Sequence, residues 1–134
     1  MFEKIRKLFK GSGPPAVQDH SLEPGGDAPA GPWFGVDLDG TLAVWDAGSS
    51  LDRIGPPVPA MVDYVRRMVA SGIRVKIFTA RAGDPAQIPK IRDWLSRNGL
   101  PDLEITNVKD YHMERLYDDR AIRVERNTGR IEGQ

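Results

Sequence analysis

The chain has 134 residues, enough for one domain with one core, and its 19 Lys and Arg residues balance 19 Asp and Glu residues. This balance gives no overall attraction to nucleic acid or to an anionic membrane, so any basic site has to be local. The absence of cysteine excludes disulfides and thiolate metal sites. No apolar stretch approaches the roughly 20 residues that cross a bilayer, and residues 1–10 lack the apolar core of a secretion signal. We therefore expect a soluble, cytoplasmic protein.

The first 32 residues differ in composition from the rest of the chain. Residues 1–10 predict a short basic amphipathic helix, which would contact an anionic membrane surface or a protein partner weakly. Residues 11–32 are rich in Gly, Pro, Ala and Ser, and such a segment buries too little apolar surface to offset its ordering entropy. We expect a flexible tether there and a folded domain over residues 33–134, as a monomer or an oligomer.

Strands and helices alternate along the predicted domain. Hydrophobic patterns indicate helices at residues 59–70 and 85–97, and strands at residues 33–38, 73–78, 103–108, 115–117 and 121–124. A short helical segment is expected at residues 111–114, and a turn at residues 127–129. The alternation predicts an α/β domain with three layers, a mainly parallel sheet and right-handed crossovers.

Polar side chains follow the predicted strands at the points where they end. The carboxyl ends of parallel strands meet at one edge of a sheet, where ligands bind. The residues concerned are Asp37 and Asp39, Thr79 and Arg81, Lys109, and Asp118 and Asp119. Four carboxylates brought together would raise one another's pKa unless a cation compensated. The all-oxygen donor set favours Mg²⁺.

Each of these residues also has a plain structural interpretation. The stretch DLDGT is compatible with a simple turn, because Asp, Gly and Thr are all turn residues. A Thr at a strand end, such as Thr79, is commonplace, and Lys109 alone would be a solvated surface lysine. Lys76 and Lys90 are rival lysines, one within a predicted strand and one within a predicted helix. The order of the motifs decides between these interpretations.

DLDGT after an apolar strand resembles the first motif of the haloacid-dehalogenase-like (HAD) hydrolases, most of which are Mg²⁺-dependent phosphatases. The stretches FTAR, VKD and LYDD fill the places of the second, third and fourth motifs in order. The resemblance covers residues 33–124. It implies a Rossmann-like HAD fold and a phosphomonoester hydrolase that works through an aspartyl-phosphate intermediate.

The resemblance also assigns roles to the acidic residues. It makes Asp37 the nucleophile and Asp39 the acid that protonates the leaving oxygen and then takes a proton from water. Mg²⁺ would be held by the Asp37 side chain, the Asp39 carbonyl oxygen and Asp118. Asp119 would be a further ligand or would orient metal-bound water.

The remaining motif residues are implied to bind phosphate. Thr79 would donate a hydrogen bond from its hydroxyl, Lys109 would supply positive charge, and Arg81 would contact substrate phosphate. Asp118-Asp119-Arg120, together with Thr79-Ala80-Arg81, is weakly similar to the phosphatase domains of polynucleotide-end-processing enzymes. In that comparison Arg120 either assists with phosphate or only pairs with a carboxylate.

The connections between the motifs are short. Residues 42–57 and 81–103 leave room for a flap and one helix, not for a cap domain. We therefore expect an open site, or one closed by another subunit or by the loop that carries Trp45. Two alternatives remain at this stage: a phosphatase specific for nucleotides or nucleic-acid ends, and a non-catalytic binding module with the HAD fold. Because all four motifs retain their acidic and basic residues, the sequence favours turnover.

Overall fold

The computed structural model describes residues 31–133. Its strands are β1 (Trp33–Val36), β2 (Val75–Phe78), β3 (Glu104–Thr106) and β4 (Met113–Tyr117), and its α-helices are α1 (Pro59–Ala70) and α2 (Gln87–Arg97). A short 3₁₀ helix, Ala80–Gly83, follows β2. The predicted helix at residues 1–10, and the predicted tether as far as residue 30, lie outside the described residues.

The strands form one four-stranded sheet in the order β3-β2-β1-β4, and every neighbouring pair is parallel. The chain runs outward from β1 through β2 to β3 and then crosses to the other side of β1. This arrangement confirms the predicted α/β domain with a parallel sheet. The finer three-layer HAD arrangement stays a prediction.

One face of the sheet builds the main core. Val36 and Ile77 are register partners on neighbouring strands, and Ile105 is the partner of Ile77. All three are fully buried and belong to one hydrophobic cluster. The same cluster contains side chains of both helices, namely Val62, Val65 and Met68 of α1 and Ile91, Trp94 and Leu95 of α2. The polar residues follow the carboxyl ends of β1 and β4 and do not belong to this cluster.

Both helices end as their sequences predict. Pro59 is the first residue of α1, where its missing N–H costs nothing. At the other end, Gly72 has φ +87° and the Ile73 N–H donates to the Met68 carbonyl at 3.0 Å. These are the features of a Schellman C-cap. The same motif ends α2, with Gly99 at φ +71°.

Two predicted elements near the C-terminus are wrong. Residues 121–124 do not form a strand of the sheet; Val124 makes only an isolated antiparallel bridge with Ile131. Ile122 and Val124 are 60% and 55% exposed, so their side chains do not pack into the core in the way that stabilises β-branched residues in a strand. Residues 111–114 are not helical either, because β4 already begins at Met113. The Asp110 carboxylate accepts the His112 N–H and so forms a tight turn ahead of the strand.

Candidate active site

The strand order creates a crevice at the carboxyl ends of β1 and β4. The chain leaves β1 toward β2 on one side, whereas β4 arrives on the other, so the two connections diverge at this point. Ligands in open α/β sheets bind at such switch points. Asp37 directly follows β1, and Asp118 and Asp119 directly follow β4. The Asp37 N–H donates to the Tyr117 carbonyl at 2.9 Å, which holds the two strand ends side by side.

Three of the four predicted carboxylates meet in this crevice. Asp37, Asp118 and Asp119 each offer a carboxylate oxygen, and these oxygens lie within 4.8 Å of one another. Their close approach depends on Gly40, which has φ +91°. A Cβ atom at Gly40 would lie 2.6 Å from the Asp119 Oδ2 atom. Only glycine fits at this turn, for conformational and steric reasons alike.

Thr41 links the two halves of the acidic cluster. Its hydroxyl lies 3.0 Å from the Asp119 Oδ1 atom and 3.3 Å from the Asp37 Oδ2 atom. The same hydroxyl oxygen accepts the Asp119 backbone N–H at 3.0 Å. Because a hydroxyl has one proton, it donates to one carboxylate at a time. The sequence placed Thr41 beside the turn but gave no signal for this contact with a residue 78 positions away.

Burial, hydrogen bonding and neighbouring charge change the pKa values of the cluster. Partial burial raises the pKa of Asp37 from its ordinary 3.8 to about 7, and the hydrogen bond to Asp119 and the charges of Asp118 and Asp119 act in the same direction. Burial also acts to raise the pKa of Asp119, but hydrogen bonds from Asp37 and Thr41 outweigh it and hold that pKa below its ordinary value. Asp37 and Asp119 therefore share a proton near neutral pH. A bound cation would take the place of that proton.

Asp39 lies outside this cluster and is engaged by Arg81. Arg81 Nε donates to Asp39 Oδ2 at 2.7 Å, and Arg81 Nη2 donates to Asp39 Oδ1 at 2.9 Å. Such bidentate pairing is the strongest arrangement between these groups. The Arg81 residue is only 4% exposed. Its guanidinium also donates to Gln87 Oε1 at 2.8 Å and to three loop carbonyls, those of Ser50, Leu51 and Arg53.

Arg81 thus ties the loop between β1 and α1 to the turn that follows β1. Every N–H direction of its guanidinium points to a protein acceptor. The sequence predicted a phosphate contact for this residue, and in the structure such a contact requires one of these acceptors to be given up. The buried Gln87 also donates to the Leu51 carbonyl at 2.9 Å, a contact that no sequence pattern predicts.

The other predicted phosphate ligands occupy different positions. Thr79 is 3% exposed and lines the same cavity as Asp37; its hydroxyl oxygen accepts the Arg81 N–H at 3.1 Å and retains its proton for a ligand. Lys109 is exposed and is not among the residues that line this cavity. Its rival Lys76 is buried, 3.7 Å from the Glu104 carboxylate. Arg120 lines the cavity and forms no hydrogen bond or salt bridge through its side chain within residues 31–133.

The cavity beside the cluster has a volume of about 660 Å³. Its walls combine the acidic edge of the sheet with apolar side chains. The cavity is lined by Asp37, Asp39, Trp45, Leu51, Phe78, Thr79, Ala80, Arg81, Asp84, Gln87, Asn107, Asp118 and Arg120. A larger cavity of about 810 Å³ lies between residues 44–56 and α2, but it contains none of the clustered carboxylates. We therefore place the candidate active site in the smaller cavity.

Comparisons with known proteins leave the chain without an identified relative. No protein-family model, no curated protein and no solved structure matches it. In the part of the chain that the structure describes, none of the helices has the length and apolar character needed to cross a membrane. The functional interpretation consequently depends on the chemistry of the site.

Proposed function

We propose that this protein is a Mg²⁺-dependent phosphomonoester hydrolase of the HAD type. The observation that carries the proposal is the meeting of Asp37, Asp118 and Asp119 at the switch point of a parallel sheet, within 4.8 Å of one another. The order of the four motifs along the chain supports it independently. A purely structural role for this cluster is disfavoured, because three adjoining carboxylates repel one another in the absence of a cation.

The residues present fit a Mg²⁺ ion. All donors in the cluster are carboxylate oxygens, which this ion prefers. The pKa of Asp37 is raised mainly by burial and further by the charges of Asp118 and Asp119, and a divalent cation would counter that charge repulsion. The Asp37 and Asp118 side chains would hold the ion, with Asp119 as a ligand or as an orienter of its water. When bound, Mg²⁺ supplies positive charge against the phosphoryl oxygens and keeps Asp37 deprotonated.

In the first chemical step, an Asp37 carboxylate oxygen attacks phosphorus. The bond between phosphorus and the ester oxygen breaks, and its electron pair leaves with that oxygen. Asp39, once it has taken up a proton from solvent, donates that proton and makes the product an alcohol. The Asp39 carboxylate is paired with Arg81 in the structure, so this transfer requires Asp39 to release at least one of those hydrogen bonds.

In the second step, water attacks the phosphorus of the aspartyl-phosphate. Asp39 accepts a proton from that water, the bond from phosphorus to the Asp37 oxygen breaks, and inorganic phosphate and free Asp37 are formed. The Thr79 hydroxyl is available to donate to a phosphoryl oxygen, and Arg120 provides positive charge at the cavity wall. Lys109 would have to approach from outside the cavity to take the role that the resemblance gives it.

Phosphate release from p-nitrophenyl phosphate tests this function. The wild-type protein should release phosphate with Mg²⁺ and lose this activity in a chelator, with partial recovery in Mn²⁺. Asp37→Asn should abolish release, because the amide is neither a nucleophile nor a good metal ligand. Asp93→Asn on the exposed side of α2 is a matched control and should retain full activity. Activity that survives in folded Asp37→Asn, or in the metal-free wild type, would refute the proposal.

A further inference from the structure

One tryptophan of this chain is exposed, and it stands at the candidate active site. Trp33 and Trp94 are 0% and 2% exposed, whereas Trp45 is 38% exposed. Trp45 lines the same cavity as Asp37 and Asp118. A single exposed aromatic residue needs no explanation by itself. Its position in the wall of the acidic cavity raises the question of what packs against it.

Trp45 belongs to an apolar wall rather than to a scattered surface. Leu51, which is 59% exposed, and Phe78 line the same cavity. The loop that carries this wall is held in place, because Arg81 and Gln87 both donate to the Leu51 carbonyl. An apolar surface that is both exposed and held in position beside a polar reaction centre is typical of ligand sites. The cavity therefore offers one end to phosphate and another to an apolar group.

Arg81 contacts both Trp45 and Asp39, and its position limits the kind of apolar group that fits. The Arg81 guanidinium carbon lies over one face of the Trp45 ring, 5.9 Å from its centre, so a ligand would pack on the part of the ring that remains exposed. Arg81 Nε lies 2.7 Å from Asp39. Arg81 thus separates the ring from the catalytic strand end. A group that packs on Trp45 would be joined to the phosphate by a spacer that extends past Arg81. A cavity of about 660 Å³ has room for such a ligand.

We infer that the substrates of this site are nucleoside monophosphates, with the phosphate at the carboxylate cluster, the sugar beside Arg81 and the base stacked on Trp45. The inference rests on the proposed function and adds a substrate class to it. A planar base suits an indole ring, because stacking on an aromatic side chain needs only a π-face. Glycerol phosphate has no apolar group to place on Trp45, and the ring of phenyl phosphate is joined to phosphorus through a single oxygen, without a spacer that could extend past Arg81.

The test compares kcat/KM for adenosine monophosphate, phenyl phosphate and glycerol phosphate. The wild-type protein should prefer the nucleotide over both other esters. Trp45→Ala should reduce kcat/KM for the nucleotide by about tenfold or more relative to glycerol phosphate, mainly through KM. Trp45→Phe should keep most of the preference because it retains an aromatic face. Tyr111→Ala removes a fully exposed aromatic residue that does not line the cavity, and it should change none of the three rates.

Equal losses on the nucleotide and on glycerol phosphate in Trp45→Ala would overturn the inference, since they would show only a structural role for the ring. Equal wild-type kcat/KM for these two esters would also overturn it. Phenyl phosphate turned over as well as the nucleotide would refute the separation of ring and phosphate.

A binding measurement separates this inference from the proposed function. Added adenosine monophosphate should quench the fluorescence of Asp37→Asn more than glycerol phosphate does. That difference should vanish in the Asp37→Asn, Trp45→Phe double variant, because the two remaining tryptophans are buried. If the wild type hydrolyses no ester but the nucleotide still quenches Trp45, the hydrolase function fails and the nucleotide site stands. If the esters are hydrolysed but the nucleotide quenches no more than glycerol phosphate, the hydrolase stands and the nucleotide inference fails.

Discussion

Replacing Asp37 with Asn should stabilise the metal-free protein at alkaline pH while removing its response to Mg²⁺. The pKa of Asp37 is about 7 in the folded state, against an ordinary 3.8. Between these values the folded state holds a proton that the unfolded state has lost, so the free energy of unfolding falls as pH rises. Below pH 3.8 the carboxyl is protonated in both states, so its contribution to the free energy of unfolding no longer changes with pH.

The size of the effect follows from the pKa difference. A difference of about three pH units corresponds to about 4 kcal/mol in a fully buried site. Asp37 is only partly buried, and screening by solvent reduces this to about 1–2 kcal/mol. The amide side chain introduced by Asp37→Asn does not ionise, so the free energy of unfolding of this variant should not fall between pH 3.8 and about pH 7 through this position. Asp119 has a lowered pKa, so its contribution to the free energy of unfolding changes only near and below the ordinary pKa of 3.8. It does not alter the comparison between pH 5 and pH 8.

Urea unfolding, followed by circular dichroism at pH 5 and at pH 8, measures the effect. In a chelator at pH 8, Asp37→Asn should be more stable than the wild type by about 1–2 kcal/mol, and at pH 5 by less. With Mg²⁺ at 100 times its dissociation constant, the wild type should gain about 2.7 kcal/mol and the variant much less. A variant that is less stable than the metal-free wild type at pH 8, or that follows the same pH profile, would refute the reasoning.

Three further variants test the geometry of the site. Gly40→Ala combines a positive φ with a Cβ atom 2.6 Å from Asp119, so it should lower stability and abolish the stabilisation by Mg²⁺ in thermal unfolding. Gly72→Ala also has a positive φ but has open space around its Cβ, so it should cost only about 1 kcal/mol and keep the stabilisation by Mg²⁺. Arg81→Ala leaves Asp39 without its partner and should cost about 3 kcal/mol in urea unfolding, against less than about 0.5 kcal/mol for the exposed Arg97→Ala; similar losses in both would contradict the buried pairing. Thr41→Val should weaken Mg²⁺ binding about tenfold in calorimetry while Thr41→Ser preserves it, and equal affinities would remove the linking role of the hydroxyl.

Elements whose signals are local were predictable from the sequence. Pro59 and the Ser71-Gly72 stop define α1 at both ends, and the apolar run from Trp33 defines β1. The alternation of these elements was enough to predict a parallel α/β sheet. It was also enough to place Asp37 and the Asp118-Asp119 pair at the same sheet edge, where the structure brings their oxygens together.

Features that depend on distant residues were not predictable. Ile122 and Val124 have the β propensity of a strand, but whether a fifth strand finds a partner depends on the tertiary structure. Arg81 carries no sequence signal for its partners, because three of them are backbone carbonyls of a loop about 30 positions earlier. Carbonyl groups are the same at every position, so a pattern of side chains cannot identify them.

β1, one of the two interior strands of the sheet, is the first of the four strands to be synthesised and the last to gain both of its neighbours. β1 receives β2 as one neighbour early in the chain, but its other neighbour, β4, is the last strand to be synthesised. Until β4 arrives, one edge of β1 has unpaired backbone groups, and such an edge invites pairing with other chains. The Thr41 hydroxyl and Asp119 meet across 78 positions only when this gap is filled. A nascent chain in which β4 has not yet been made therefore carries half of the acidic site beside an open sheet edge, and it is exposed to pairing with other chains until β4 docks.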